Sequence, residues 1–243
     1  MSPGENVIVV HAVLDAAASD QYVIIQLTTG ATRTAADLTG AQVMIVPPTG
    51  GEWIAREELD SVAIGVSRSG TNAYRVNTVY HVALGTIGDS IVPGGRYQLR
   101  IVLPTGATVI GSTTVPNVAA FKTTGATATP FDIAHDALTL HWQRVVGARG
   151  YEVQVHSQLS DYSAFADTSI TLDGSTKTSD GQLAFIAHMT NQLVISAVDS
   201  NYFDYFRRGS DPFSGVSAVS HLNGALGVFG SIVELQRVDL AVH

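Results

Sequence analysis

Apolar and polar residues alternate along most of this chain with a period of two. The pattern is clearest in Leu138-Thr139-Leu140-His141-Trp142 and again in Tyr151-Glu152-Val153-Gln154-Val155. Successive side chains of an extended strand point to opposite faces, so Leu138, Leu140 and Trp142 share one face and Tyr151, Val153 and Val155 share another. The connection between the two runs carries Gly147 and Gly150, residues that suit a turn. Two neighbouring β-strands are expected here.

The same reading predicts strands throughout. Val7 to Leu14 is β-rich and nearly continuous in its apolar character, which predicts a strand buried on both faces. Tyr22 to Leu27 follows, and then Ala41 to Val46, which ends at Pro47-Pro48 because proline has no amide hydrogen to continue a ladder. Residues 51 to 72 predict no single element, since Glu52 to Leu59 fits either a short helix or a hairpin arm. Tyr74, Val76, Thr78, Tyr80 and Val82 then alternate against Arg75, Asn77, Val79 and His81. Pro93-Gly94-Gly95 leads into Arg96 to Leu103, and Pro104-Thr105-Gly106 turns the chain into Ala107 to Pro116. About seven strands before residue 117 suffice for a sandwich.

Residues 117 to 135 show no strong periodicity, and Phe121 to Pro130 reads as a linker. The expected fold class is therefore all-β, with two β-sandwich domains. Residues 1–124 would form an Ig-like or transthyretin-like sandwich and residues 125–243 a second one. The second would continue through Ser169 to Leu172, Gln182 to Ala187 and Gln192 to Asp199, and close with an edge strand within Gly227 to His243. Between these, Asp199-Ser200-Asn201 can cap a helical turn bearing Tyr202, Phe203, Tyr205 and Phe206.

Composition narrows the function. Charged residues are 14% of the 243 and hydrophobic ones 45%, which argues against disorder. A formal net charge of −8 with only 13 Lys plus Arg argues against nucleic acid and anionic membrane surfaces as partners, because both need a concentrated cationic patch. With no cysteine, disulfides, thiolate metal sites and cysteine nucleophiles are excluded. No apolar run of about 18 residues predicts a membrane-spanning helix, and Met1 to Asn6 has none of the features of a secretion signal.

The stretch from Trp142 to Val155, a Trp-bearing strand followed by Val-x-Gly-Ala-x-Gly-Tyr and a second alternating strand, resembles the B to C region of a fibronectin type III module. Three further stretches extend the likeness: Gly40 to Ile45; Pro93 to Leu99 with Gly111 to Pro116 after it; and Asn223 to Gly230. In this order they resemble an uncharacterised family of bacterial cell-envelope lipoproteins, commonly encoded beside TonB-dependent outer-membrane receptors. In that family an N-terminal sandwich precedes a fibronectin-like domain. The resemblance implies an exported, non-enzymatic protein, lipid-anchored in its native form, that works with an outer-membrane transporter or other partner. It carries over no catalytic residue, and this sequence lacks the family's lipid-attachment cysteine.

Candidate chemistry is sparse. His135, His141 and His156 suggest a metal site, two of them on strands expected to be neighbours. By the alternation, though, His141 and His156 face away from Trp142 and Tyr151, toward solvent or a partner, and no metal site is assigned. Serine nucleophiles in Gly65 to Gly70 and Gly209-Ser210-Asp211 lack the Gly-x-Ser-x-Gly spacing. Glu57-Glu58, and Asp132 with Asp136, are carboxylate pairs that more simply belong to a solvated face or a turn. No cofactor is expected; Asp199, Asn201 and Asp204, or Asp161 and Asp167, supply oxygen donors that a loop-stiffening calcium ion could use. Tyr202, Phe203, Tyr205 and Phe206 form the main binding candidate, with the alternative that they plug the base of the second sandwich. His141 and His156 complete the candidate set.

The expectation is a non-enzymatic cell-envelope binding or accessory module acting on a protein or glycan partner. The alternative is a structural subunit that assembles through β-edges into a filament or surface layer. Homo-oligomers through edge strands would follow from either.

Overall fold

The computed structural model describes residues 7–28, 38–58, 75–119, 121–124, 131–207 and 220–243. The serine strings at 65–70 and 209–211, Tyr74 and most of the expected linker lie outside them. The chain is all-β in two compact units, each built from two stretches of sequence. The first comprises Met1–Val115 and Asn201–Ser231, the second Pro116–Ser200 and Ile232–His243. An expected cut at 124/125 therefore differs from this division chiefly in residues 201–231, which return to the first unit.

In the first unit the seven runs expected before residue 117 are strands β1 (Val7–Asp15), β2 (Asp20–Thr28), β3 (Gln42–Val46), β4 (Trp53–Glu58), β5 (Arg75–Ala83), β6 (Arg96–Val102) and β7 (Thr108–Thr114), with a single helical turn α1 (Leu84–Ile87) after β5. Of the ambiguous segment 51 to 72, Trp53–Glu58 is a strand, with Trp53 and Ala55 buried and Ile54 and Arg56 exposed, and residues 59–72 lie outside the described residues. β4 also joins the two sheets. Its first half, Trp53 to Ala55, pairs with β3, and its second half, Arg56 to Glu58, pairs with β5.

β1 is not buried on both faces as expected. From Val10 onward its burial alternates, with Val10, Ala12 and Leu14 buried and His11 and Val13 only half-buried. The sandwich interior is filled by such inward rows: Val23 and Ile25, Val43 and Ile45, Tyr97, Leu99 and Ile101, all fully buried. Buried Tyr80 accepts a hydrogen bond from the Ala41 amide (3.0 Å) and donates to the Leu38 carbonyl (2.8 Å). Burial, with the charge of Glu57 beside it, pushes its phenol up to about 12.

The second unit has strands β8 (Thr123–Thr124), β9 (Ala137–Trp142), β10 (Gly150–His156), β11 (Asp161–Ala166), β12 (Ser169–Asp173) and β13 (Thr190–Val198), with the later part of β14 (Leu226–Ala241). One sheet has the order β12-β9-β8 and the other β11-β10-β13-β14. This three-on-four arrangement is the fibronectin type III order expected from Trp142 and Tyr151. Those two rings meet edge to face at 5.2 Å, and Leu138, Leu140, Trp142, Tyr151, Val153 and Val155 are all core. The Tyr151 hydroxyl accepts from the Val145 amide at 2.7 Å, which pins the connection between β9 and β10.

Two details of the second unit differ from expectation. Gln182 to Ala187 is loop rather than strand; of its apolar residues Ala184 and Phe185 are buried, Phe185 packing on Phe131 at 5.1 Å while the Ala184 amide bonds back to Thr176. β11, whose sequence DYSAFA alternates only weakly, pairs with β10 over six residues. β14 also breaks strict alternation, because its register with β13 shifts at Ile195/Ser196, the effect of a bulge.

Candidate functional site

β10 sends Tyr151, Val153 and Val155 inward, and Gln154 and His156 lie on its other face. At its end, Ser157 closes a tight turn: its hydroxyl accepts from the amides of Ser160 (2.9 Å) and Leu159 (3.3 Å). Such hydroxyl-to-backbone bonds fix a turn without a regular ladder. The Ser160 hydroxyl then donates to the Leu183 carbonyl at 2.7 Å, tying this turn to the long loop after β12. That loop is itself closed by Thr178, whose hydroxyl accepts from the Gln182 amide (2.9 Å) and donates to Asp180. The Thr178 bond holds the Asp180 carboxyl below its ordinary range.

Between the two loops lies a cleft of about 500 Å³, lined by Ser157 to Asp161 on one side and Thr178, Asp180 and Gln182 on the other. Leu159, 65% exposed, and Leu183, 41% exposed, stand beside it. The lining offers two carboxylates, two side-chain amides and several hydroxyls, with no aromatic ring and no cationic side chain. Chemically it is an acceptor-rich cleft, suited to hydroxyl or ammonium donors rather than to anions.

Of the sequence candidates, Asp161 lines this cleft and His156 adjoins it, with Nδ1 2.9 Å from Asp161 Oδ1. His141 does not join it. It sits exposed on β9, opposite Ser169 of β12, in the other sheet from His156. His135 is bonded to Asp132 at 2.9 Å, and that contact raises the imidazole pKa and lowers that of the carboxylate. The three histidines do not converge, because strands successive in sequence belong to opposite sheets. No group of three or more His, Cys, Asp or Glu that could hold a metal ion occurs among the described residues.

The aromatic candidates occupy helix α2 (Ser200–Phe206), which belongs with the first unit apart from Ser200. Phe203 and Tyr205 are buried, and Tyr202 and Phe206 half-buried. Tyr202 and Phe206 lie 4.4 Å apart, and His11 of β1 meets Tyr205 at 5.6 Å and Phe206 at 5.4 Å. The rings are thus a plug, as the alternative reading held, but one that closes the first unit rather than the second sandwich. Asn201 locks it in place, its amide donating to the carbonyls of Ser112 (2.7 Å) and Phe229 (2.8 Å).

The calcium donor sets fare differently. Asn201 spends its side-chain amide on those two carbonyls, and Asp204 faces His221 at 3.4 Å. Asp161 opens β11 and Asp167 follows its last residue, which separates them by roughly 20 Å of extended chain. Asp132 with Asp136 closes a turn, the Asp136 carboxylate accepting from the Asp132 amide at 2.9 Å. Sequence reasoning missed the cleft itself, because its lining comes from two loops brought together by Ser160 and Leu183. The Ser/Asp content of Ser157 to Asp161 was the available signal.

No family model matches the chain, and no curated protein matches its sequence. Among solved structures it is similar to the FN1–FN3 domains of chicken CNTN1, at 11% identity over 99% of this chain and 67% of that chain, with a TM-score of 0.23. It is also similar to red sea bream transglutaminase, at 8% identity over 100% of this chain and 32% of that chain, with a TM-score of 0.25. At these scores neither likeness bears on function, and the fold rests on the strand order and register above.

Proposed function

We propose that the chain is a non-enzymatic binding module of the bacterial cell envelope, exported and lipid-anchored in its native form, that holds a protein or glycan partner. The observation that carries this reading is the acceptor-rich cleft of the fibronectin-like unit, stapled from both sides and facing solvent. Its oxygen atoms and amides match sugar hydroxyls or a lysine side chain on a partner protein. The sequence resemblance to envelope lipoproteins supplies the location and the expectation of a TonB-dependent receptor nearby.

The test is binding of the full chain to isolated outer-membrane glycan and to the receptor encoded beside its gene, measured by interferometry. Replacing Asp161 and Asp180 together with alanine should weaken binding about tenfold or more, the loss of one or two charge-assisted hydrogen bonds. Unchanged affinity in the double variant would remove the cleft from the function.

A second reading, assembly through sheet edges, is favoured by β11 and β12. Neither edge strand contains lysine, arginine or proline, the residues that ordinarily discourage strand addition. Sedimentation velocity over a range of concentrations separates the two readings: a species that stays monomeric excludes assembly.

A further inference from the structure

The sheet of the first unit formed by β4, β3, β6 and β7 has an outer face unlike the rest of the molecule. One continuous cross-strand row runs Ile54, Met44, Arg100, Ile110, each residue the register partner of the next. Ile54 is 72% exposed and Ile110 50%, with Met44 half-buried between strands. Neighbours in such a row stand about 4.8 Å apart, so the row is a flat aliphatic strip interrupted by one guanidinium. Arg96 shares this face four residues before Arg100 on β6, and Arg56 lies two residues beyond Ile54 on β4. The side chains of Arg56, Arg96 and Arg100 form no ion pair among the described residues.

In a chain of net charge −8, three arginines with no ion pair among the described residues, set around a largely exposed aliphatic strip, are a local reversal of sign. We propose that this face docks a segment of another protein that is both acidic and aliphatic. Its carboxylates sit on Arg100 and Arg96, and its aliphatic side chains cover Ile54, Met44 and Ile110. Guanidinium groups pair carboxylates bidentately, and arginine set among apolar contacts is a recurrent anchor of protein interfaces. Arg96 and Arg100 stand roughly 13 Å apart along one strand, a spacing that acids four positions apart on an extended segment reproduce.

Other occupants fit the face less well. A second copy packed about a two-fold axis along the row would bring Arg100 against Arg100. A glycan lacks a ring to stack on, since the row contains no aromatic residue. A membrane surface would find no Trp or Tyr on this face to seat at the headgroups. The site shares no residue with the cleft of the second unit, so the two stand or fall separately.

The experiment measures fluorescence anisotropy of a short labelled peptide alternating glutamate with valine and leucine, titrated with the full chain at low and physiological salt. The same titration uses a peptide with lysine in place of every glutamate, and vesicles containing phosphatidylglycerol. The expected result is saturable binding of the acidic peptide, weakened about tenfold or more by Arg100→Glu and by Ile54→Asp. Lys177→Glu, which makes the same change in net charge on the second unit, should alter it less than about twofold. Amide shifts in the NMR spectrum should fall on β3, β4, β6 and β7. The proposal is overturned by absence of saturable binding at about millimolar chain, by equal binding of the lysine peptide, by equal losses in Arg100→Glu and Lys177→Glu, or by binding of vesicles without the peptide. Circular dichroism shows whether each variant is folded. Should Ile54→Asp fail to fold, Arg100→Glu, at an exposed position, carries the test alone.

Discussion

His11 is the residue whose surroundings most constrain its chemistry. It stands on β1 against the rings of Tyr205 and Phe206, and burial lowers its pKa below the ordinary 6.5, because an imidazolium loses hydration there. In the unfolded chain the same group titrates near 6.5. Between the lowered folded value and 6.5 the unfolded state therefore binds more protons. The stability His11 contributes is fully present above 6.5 and is lost as pH falls through the folded value. Exposed His135 has the opposite sign: Asp132 raises its pKa, so its contribution is present below 6.5 and fades as pH rises through the folded value. Comparing the parent with His11→Phe cancels that term. Urea unfolding between about pH 8 and 5 should show the parent losing more stability on acidification than the variant; parallel curves would contradict the buried imidazole.

At the scale of elements, α2 is held by close approach as much as by its aromatic rings. A Cβ built on Gly230 of β14 would lie 2.8 Å from the Tyr202 amide nitrogen and 3.0 Å from its Cα. Both are backbone atoms that cannot swing aside. Gly230→Ala must therefore lift α2 or bend β14, loosening the two Asn201 bonds, and should cost about 1–3 kcal/mol. Gly51→Ala, with nothing within 4 Å of its Cβ, should stay within about 0.5 kcal/mol of the parent. Urea midpoints measured in parallel decide it, and equal midpoints would count against the packing described. The elements themselves were largely legible in sequence. Trp142 and Tyr151 announced β9 and β10 because period-two alternation is a direct imprint of pleat on composition. The aromatic run at 202–206 was visible too, but its partner was not, since His11 lies far away in sequence. β11 escaped notice because a strand whose side chains are mostly half-buried leaves no contrast between its faces.

At the scale of the whole molecule, the division into units was the least legible feature. A linker reading at 117 to 135 finds a local change in composition, whereas the units are defined by pairing between distant strands. β14 neighbours both β13 and β1 in the strand order, and no local signal marks residue 231 as the point where it passes from unit to unit. A fragment of residues 1–124 consequently lacks α2 and the β14 segment that belong with its sandwich. Expressed alone, it should show no cooperative thermal transition and poor amide dispersion, whereas the full chain shows both. A fragment that melts cooperatively would mean that residues 201–231 are dispensable to the first unit. The fibronectin-like order, by contrast, was accessible early, because its core residues cluster in one stretch of sequence.

The path of β14 also governs how the protein is made. β1 emerges from the ribosome more than 200 residues before the strand it adjoins in the first unit. At about 5–20 residues per second, that partner arrives roughly 10–40 s later. The second unit likewise waits for Ile232–His243. Neither sandwich can close before β14 has emerged, so until then β1 has only β2 as a partner. Closure of both units is thereby set by the last of their strands to be made, long after their first strands have emerged.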